Sequence, residues 1–158
     1  MQVIQDQQLY NALWDRVYQD FGFRPAETAW LNLPQPSRKY RAAGVWTETQ
    51  EKTVNSIFAG LGIENMYALD WQHDCFVFSP QENIPCGFSY YDAERDCNVY
   101  FPSYYPDGDY FFFLSQDFSC GLFGHPRRSE IFVMGEPLIE AFENLKEQLG
   151  LSDVNEGA

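Results

Sequence analysis

Apolar residues recur along the first part of the chain with the period of a helix. Leu9, Leu13, Val17 and Phe21 fall four apart, flanked by Tyr10, Trp14 and Tyr18, a broad apolar stripe that predicts a helix over about residues 5–20. Gly22 then supplies a stop. From 25 to 44 the pattern dissolves into a surface connection containing Pro34, Pro36 and a basic cluster of Arg38, Lys39 and Arg41, with a short strand over 39–46. Thr47 and Gln50 have the spacing of a capping box, in which the hydroxyl and the amide satisfy free backbone N–H groups at a helix start. Val54, Ile57, Phe58 and Leu61 follow at i, i+3, i+4 and i+7, so a second amphipathic helix runs to Gly60 or Gly62.

After residue 63 the period changes. Short aromatic or β-branched runs over 66–72, 75–79, 86–91, 99–101, 110–115, 120–123 and 130–134, divided by turn residues, predict the strands of an antiparallel sheet. Pro106-Asp107-Gly108-Asp109 has turn chemistry and launches the strand that begins at Tyr110. Phe111, Phe112 and Phe113 in succession give that strand two apolar faces, which places it centrally with cover on both sides. Gly135-Glu136-Pro137 opens a last helix, with Leu138, Phe142, Leu145 and Leu149 on its buried face and Gly150 at its end. Residues 152–158 are small and polar and read as a flexible acidic tail. Helices at both ends, one in the middle and a run of strands predict a single α+β domain over 1–151, with a mostly antiparallel meander sheet flanked by amphipathic helices.

Composition sharpens the picture. Among 158 residues, 28 aromatic side chains and only 21% charged residues describe a packed globule rather than a disordered chain. Neither a long apolar run nor a signal-like start is present, which predicts a cytoplasmic protein that does not bind membranes. The four cysteines, Cys75, Cys86, Cys97 and Cys120, then read as thiols. A net charge of −13 repels phosphate backbones and argues against nucleic acid as a partner. It favours a basic protein partner, because opposite charge speeds encounter. The charge is unevenly spread: residues 62–126 hold ten acids and one base, a balance of −9, whereas 24–52 hold five bases and three acids, a balance of +2.

Candidate chemistry is sparse. Within 70–75 lie Asp70, His73, Asp74 and Cys75; on a strand, Trp71, His73 and Cys75 would share one face and Asp70, Gln72 and Asp74 the other, so adjacent His73 and Asp74 would point apart. His73 with Cys75 is the nearest approach to a metal-ligand pair, and it falls short of a tetrahedral set, so neither a metal nor a cofactor is expected. Cys120 and His125 lie five apart, a spacing that does not by itself bring a thiol to its base. Asp107 and Asp109 alternate like the start of a calcium loop, but the twelfth position is Phe118 rather than glutamate, which leaves a turn.

Several separated strings are nonetheless distinctive: Trp71-Gln72-His73, Pro106-Asp107-Gly108-Asp109-Tyr110, Asp117-Phe118, Gly121 followed by Gly124-His125-Pro126, and Gly135-Glu136. Together they resemble an uncharacterised bacterial family, domain of unknown function 2716, over about half of the chain. The residue after His125-Pro126 is Arg127, where the family pattern has an aromatic. The resemblance implies no activity or cofactor.

Charge and aromatic content together predict a protein-binding module, most concretely an immunity-type inhibitor of a basic, nuclease-like toxin. Eleven aromatic residues lie between Phe88 and Phe113, more than one sheet face buries, so some of Tyr90, Tyr91, Tyr104 and Tyr105 are expected at the surface. The partner-binding residues expected are Asp70, Trp71, His73, Asp74, Asp92, Tyr104, Tyr105, Asp107, Asp109 and His125. The alternatives are a small hydrolase using His73, His125 or Cys120, and a protein binding a small ligand between sheet and helices. The sequence sets no oligomeric state.

Overall fold

A computed structural model describes residues 1–25 and 33–154. In chain order the elements are β1 (Gln2–Val3), α1 (Gln7–Phe21), β2 (Ser37–Ala42), α2 (Glu48–Gly60), β3 (Met66–Asp70), β4 (Cys75–Phe78), β5 (Ser89–Asp92), β6 (Cys97–Tyr100), β7 (Phe111–Ser115), β8 (Gly121–His125), β9 (Glu130–Met134), α3 (Glu136–Leu145) and β10 (Leu151–Asp153). Eight strands form an antiparallel sheet in the order β1-β4-β3-β7-β8-β9-β2-β10, and β5 and β6 pair apart from it. The fold is α+β.

The period of two along β7 explains the layering. Phe111 and Phe113 point into one core with Val54 and Phe58 of α2 and Leu138 and Phe142 of α3. Phe112 and Leu114 point to the opposite face, into a second core with Leu13, Trp14, Val17 and Phe21 of α1. The sheet is thus the middle of three layers, and all five residues of β7 are buried. Each fully buried phenylalanine contributes roughly 1.5–3 kcal/mol relative to an exposed one.

Local signals act as their chemistry requires. Gly22 ends α1 in the left-handed region at φ 61°. The Gln50 N–H donates to Thr47 Oγ1 at 3.2 Å, and the Thr47 N–H donates to Gln50 Oε1 at 2.8 Å. Gln50 Nε2 also donates to the Gln148 carbonyl at 2.9 Å, tying the start of α2 to the segment after α3. Thr47→Ala is therefore expected to cost about 1 kcal/mol, read as a lowered midpoint in thermal denaturation; an unchanged midpoint would show that the Gln50 contacts hold the helix start alone.

Three features depart from the sequence reading. The sheet is not a simple meander: β7-β8-β9 is one, but β2 inserts beyond β9, and the runs at 86–91 and 99–101 become the detached β5–β6 hairpin. Ser152 and Asp153 are not tail, because β10 pairs with β2 through Leu151↔Ala42, Ser152↔Arg41 and Asp153↔Tyr40. A polar segment can close a sheet edge because edge pairing uses backbone groups. The strand expected over 39–46 begins earlier, at Ser37, and part of the connection expected from 25 to 44 lies outside the described residues. The basic strand β2 and the acidic end of β3 occupy opposite halves of the sheet, and Arg38 of β2 is bound to Glu143 of α3 at 2.6 Å.

Candidate functional site

The stretch expected to continue as a strand through residue 72 instead turns after Asp70. Gln72 takes φ 66°, and the His73 N–H donates to the Asp70 carbonyl at 3.0 Å, closing the β3–β4 turn. This folds His73 back over Asp70 and corrects the strand geometry expected for Trp71, His73 and Cys75. Asp70 Oδ1 lies 3.1 Å from His73 Nδ1, and Asp109 Oδ2 lies 3.2 Å from the same nitrogen. Asp109 arrives from the loop before β7: the Tyr110 N–H donates to its Oδ1 at 2.8 Å, and the Trp71 N–H donates to the Tyr110 carbonyl at 3.1 Å. Two loops are thereby stitched together with two carboxylates and one imidazole between them.

The electrostatics follow from this crowding. Burial pushes the Asp70 carboxyl above its ordinary range, and the neighbouring Asp109 charge acts in the same direction against the lowering effect of His73. Burial acts to lower His73, yet the Asp70 and Asp109 carboxylates outweigh it and leave the imidazole raised.

Beside it, Arg95 from the β5–β6 turn donates through Nη1 and Nη2 to both oxygens of Asp74, at 3.0 and 3.2 Å, and through Nε to Asp92 at 2.8 Å. This fork pins one hairpin to the other, and its hydrogen bonds hold the Asp92 carboxyl below its usual range. Between the hairpins lies a cleft of about 480 Å³ whose lining includes Asp70, His73, Asp74, Arg95, Asn98 and Tyr100.

The residues expected at the surface divide. Asp70, His73, Asp74, Asp92 and Asp109 gather here. Tyr104 and Tyr105 do not: they are buried at 8% and 6% exposure, because Tyr104 packs on Phe58 and Phe113 while both backbone N–H groups bind Glu51. Among the described residues the exposed tyrosines are Tyr18 of α1 and Tyr90, Tyr91 and Tyr100 of the β5–β6 hairpin, and neither Tyr18 nor Tyr100 was anticipated. His125 is buried as well; its ring meets Tyr110 edge-on at 5.7 Å, and its Nδ1 accepts from the Arg127 N–H at 3.1 Å. It is a structural group rather than a contact residue. Trp71 is half-buried, donating to the Tyr18 hydroxyl at 2.9 Å and packing against Phe23 and Tyr110. Asp107 is exposed, and its charge acts on Glu51 and Cys86, on the other side of the loop from Asp109's partner.

The pairing of Cys120 with His125 does not form: Cys120 precedes β8 and His125 ends it, about 17 Å apart along an extended strand. Burial raises the thiols of Cys75, Cys86 and Cys120, the opposite of what a nucleophile needs.

A second cleft of about 520 Å³, lined among others by Glu51, Asn55, Ile84, Cys86 and Tyr104, escaped the sequence reading. Glu51 carries its chemistry, with Oε2 and Oε1 accepting from the Tyr104 and Tyr105 N–H groups at 2.9 and 3.1 Å. Its signal was in the pattern, since Glu51 lies three before Val54 and so on the apolar face of α2.

The molecule is therefore a three-layer α+β domain with an acidic, histidine-containing cleft at one end of its sheet. The chain belongs to the family described as Protein of unknown function (DUF2716), whose pattern matches residues 5–139. It is also similar to the uncharacterised protein YxiI of Bacillus subtilis (strain 168), 38% identical over 103 residues that cover 65% of this chain and 59% of that protein. The aligned stretch thus spans less than two thirds of the length of the curated relative. No solved structure matches the chain. The strings that carry the family resemblance converge in space, for Trp71, Tyr110 and His125 meet edge-to-face in succession and Pro106 lies against Gly124.

Proposed function

We propose that this protein is a cytoplasmic protein-binding module that docks a basic protein on the acidic, aromatic face of its β5–β6 hairpin, acting as an immunity-type inhibitor of a basic toxin. The observation that carries this reading is the outward face of that hairpin. Tyr91 pairs opposite Asn98, and Tyr100 lies two residues further along on the same face, so the two rings stand diagonally at 59% and 65% exposure. Glu94 and Asp96 in the connecting turn are exposed, and the Tyr91 hydroxyl donates to Asp96. Tyrosines of this kind supply contact area at small entropic cost, and acids around them attract a basic surface. Among the described residues, no helix is long and apolar enough to cross a membrane.

The test is to recover a basic partner with the tagged protein as bait at low salt and then measure its binding to variants. Tyr91→Ala with Tyr100→Ala is expected to weaken the complex by about 30-fold or more, as removal of hot-spot residues does. Glu94→Lys is expected to slow association at low salt and to have little effect at high salt, where the field is screened. If no basic protein binds, or a bound one keeps its affinity for the double tyrosine variant, the reading fails.

A further inference from the structure

We infer that Asp70, His73 and Asp109 form a binding site for one divalent transition-metal ion of the zinc class. The three side chains offer one imidazole nitrogen and two carboxylate oxygens, all lying within 4.8 Å of one another. Metal–ligand bonds of about 2.0–2.2 Å hold neighbouring donors roughly 3–3.5 Å apart in a tetrahedral or octahedral shell. The separations of 3.1 and 3.2 Å from His73 Nδ1 to the two carboxylates already have that spacing. In the metal-free arrangement one ring nitrogen faces two carboxylate oxygens, and a single N–H cannot point straight at both. A divalent ion in its place would satisfy all three donors at once.

Charge leads to the same ion. In the ligating form, two carboxylates and a neutral imidazole sum to −2, and among the described residues neither Asp70 nor Asp109 forms an ion pair with lysine or arginine, since Arg95 is committed to Asp74 and Asp92. The imidazole selects among cations: magnesium and calcium take oxygen ligands, whereas zinc accepts mixed nitrogen and oxygen sets. The donors are also held in place. Asp70 ends β3, Asp109 is fixed through Oδ1 by the Tyr110 N–H, and the Trp71–Tyr110 backbone bond joins the two loops. His73 is 63% exposed at its side chain and lines the cleft, so the shell has an open side for water or a further ligand. The site does not rest on the docking reading: none of its three ligands lies on the β5–β6 hairpin, although Tyr100 lines the same cleft.

The full chain, stripped with a chelator, is titrated with Zn²⁺ against a chromophoric competitor, and with Co²⁺ as a spectroscopic probe. One equivalent of Zn²⁺ is expected to bind, with Mg²⁺ at least about tenfold weaker. Asp109→Asn, which keeps the acceptor for the Tyr110 N–H, and His73→Gln, which alters an exposed turn, are each expected to weaken Zn²⁺ binding by at least about tenfold. Cys86→Ser is expected to leave it unchanged, and the Co²⁺ form to show no thiolate charge-transfer band. Absence of stoichiometric Zn²⁺ binding, Mg²⁺ binding of equal strength, binding that survives both ligand substitutions in folded variants, or dependence on Cys86 overturns the inference.

Discussion

Gly124→Ala is expected to lower the free energy of unfolding by about 3 kcal/mol or more, and the melting temperature by roughly 10 °C. A Cβ at this position would sit 2.4 Å from the Glu130 carbonyl oxygen, 2.7 Å from Pro106 Cγ and 3.3 Å from Ile131 Cδ1. Glu130 belongs to β9, where it pairs with His125, and Gly124 itself pairs with Ile131, so the nearest obstacle is the ladder of the sheet. It cannot retreat without lengthening the hydrogen bonds between β8 and β9, and the proline ring on the other side is rigid. The close approach is what brings the Pro106–Tyr110 loop down onto β8, with Tyr110 against His125 and Asp109 against His73. Gly60 provides the contrast: nothing lies within 4 Å of a Cβ there, so Gly60→Ala is expected to change stability by no more than about 1 kcal/mol. Chemical denaturation of both variants decides the matter. Equal stability of Gly124→Ala and the parent would mean that the strand pair shifts at little cost.

Raising the pH from 4 to 8 is expected to destabilise the parent protein relative to Glu51→Gln by about 3 kcal/mol. Burial pushes the Glu51 carboxyl up to about 7, from an ordinary value of 4.5, while the Tyr104 and Tyr105 N–H groups pull it down and Asp107 adds to the rise. A folded-state value above the unfolded one means that the native protein keeps a proton the unfolded chain has already released. The stabilisation from this group is thus complete below about 4.5, falls as pH rises towards 7 and is level above. The 2.5-unit separation at 1.36 kcal/mol per unit sets the size. Glutamine resembles the neutral acid, with one carbonyl oxygen to accept from the backbone, and cannot titrate. Subtracting its unfolding free energy from that of the parent at each pH removes the contributions of other groups, including Glu143 and Asp117, each held down at about 2 by hydrogen bonds. A difference that does not change with pH would show that the two backbone N–H bonds compensate for burial of the carboxylate. Glu51 would then be ionised in its cleft at neutral pH.

These two positions also show why the site was only partly legible. Glu51 was visible in principle as a carboxylate on an apolar helix face, but its partners Tyr104 and Tyr105 come from a segment more than fifty residues away. Tyr104 and Tyr105 looked like surface residues because they follow an acidic, aromatic stretch. What buries them is that Glu51 takes up both of their backbone N–H groups while Phe58 of α2 covers the Tyr104 ring and Trp46, just before α2, meets the Tyr105 ring.

The sequence by itself determined the elements whose causes are local. The stripe of α1, the Thr47–Gln50 box at the start of α2, the Gly22 stop, the two-faced strand at Phe111–Phe113 and the α+β class all follow from spacing and from side chains acting on backbone groups a few residues away. So did the acidic balance of 62–126 and the strings that place the chain in its family. Tertiary structure alone decided the order of strands, the separation of β5–β6 from the main sheet and the use of β10 as an edge, because pairing joins backbone groups that carry no sequence label. It alone brought Asp109 to His73 across 36 residues and turned His73 onto Asp70 at a non-glycine residue of positive φ. That juxtaposition depends on how the β3–β4 turn and the loop before β7 meet at the end of neighbouring strands.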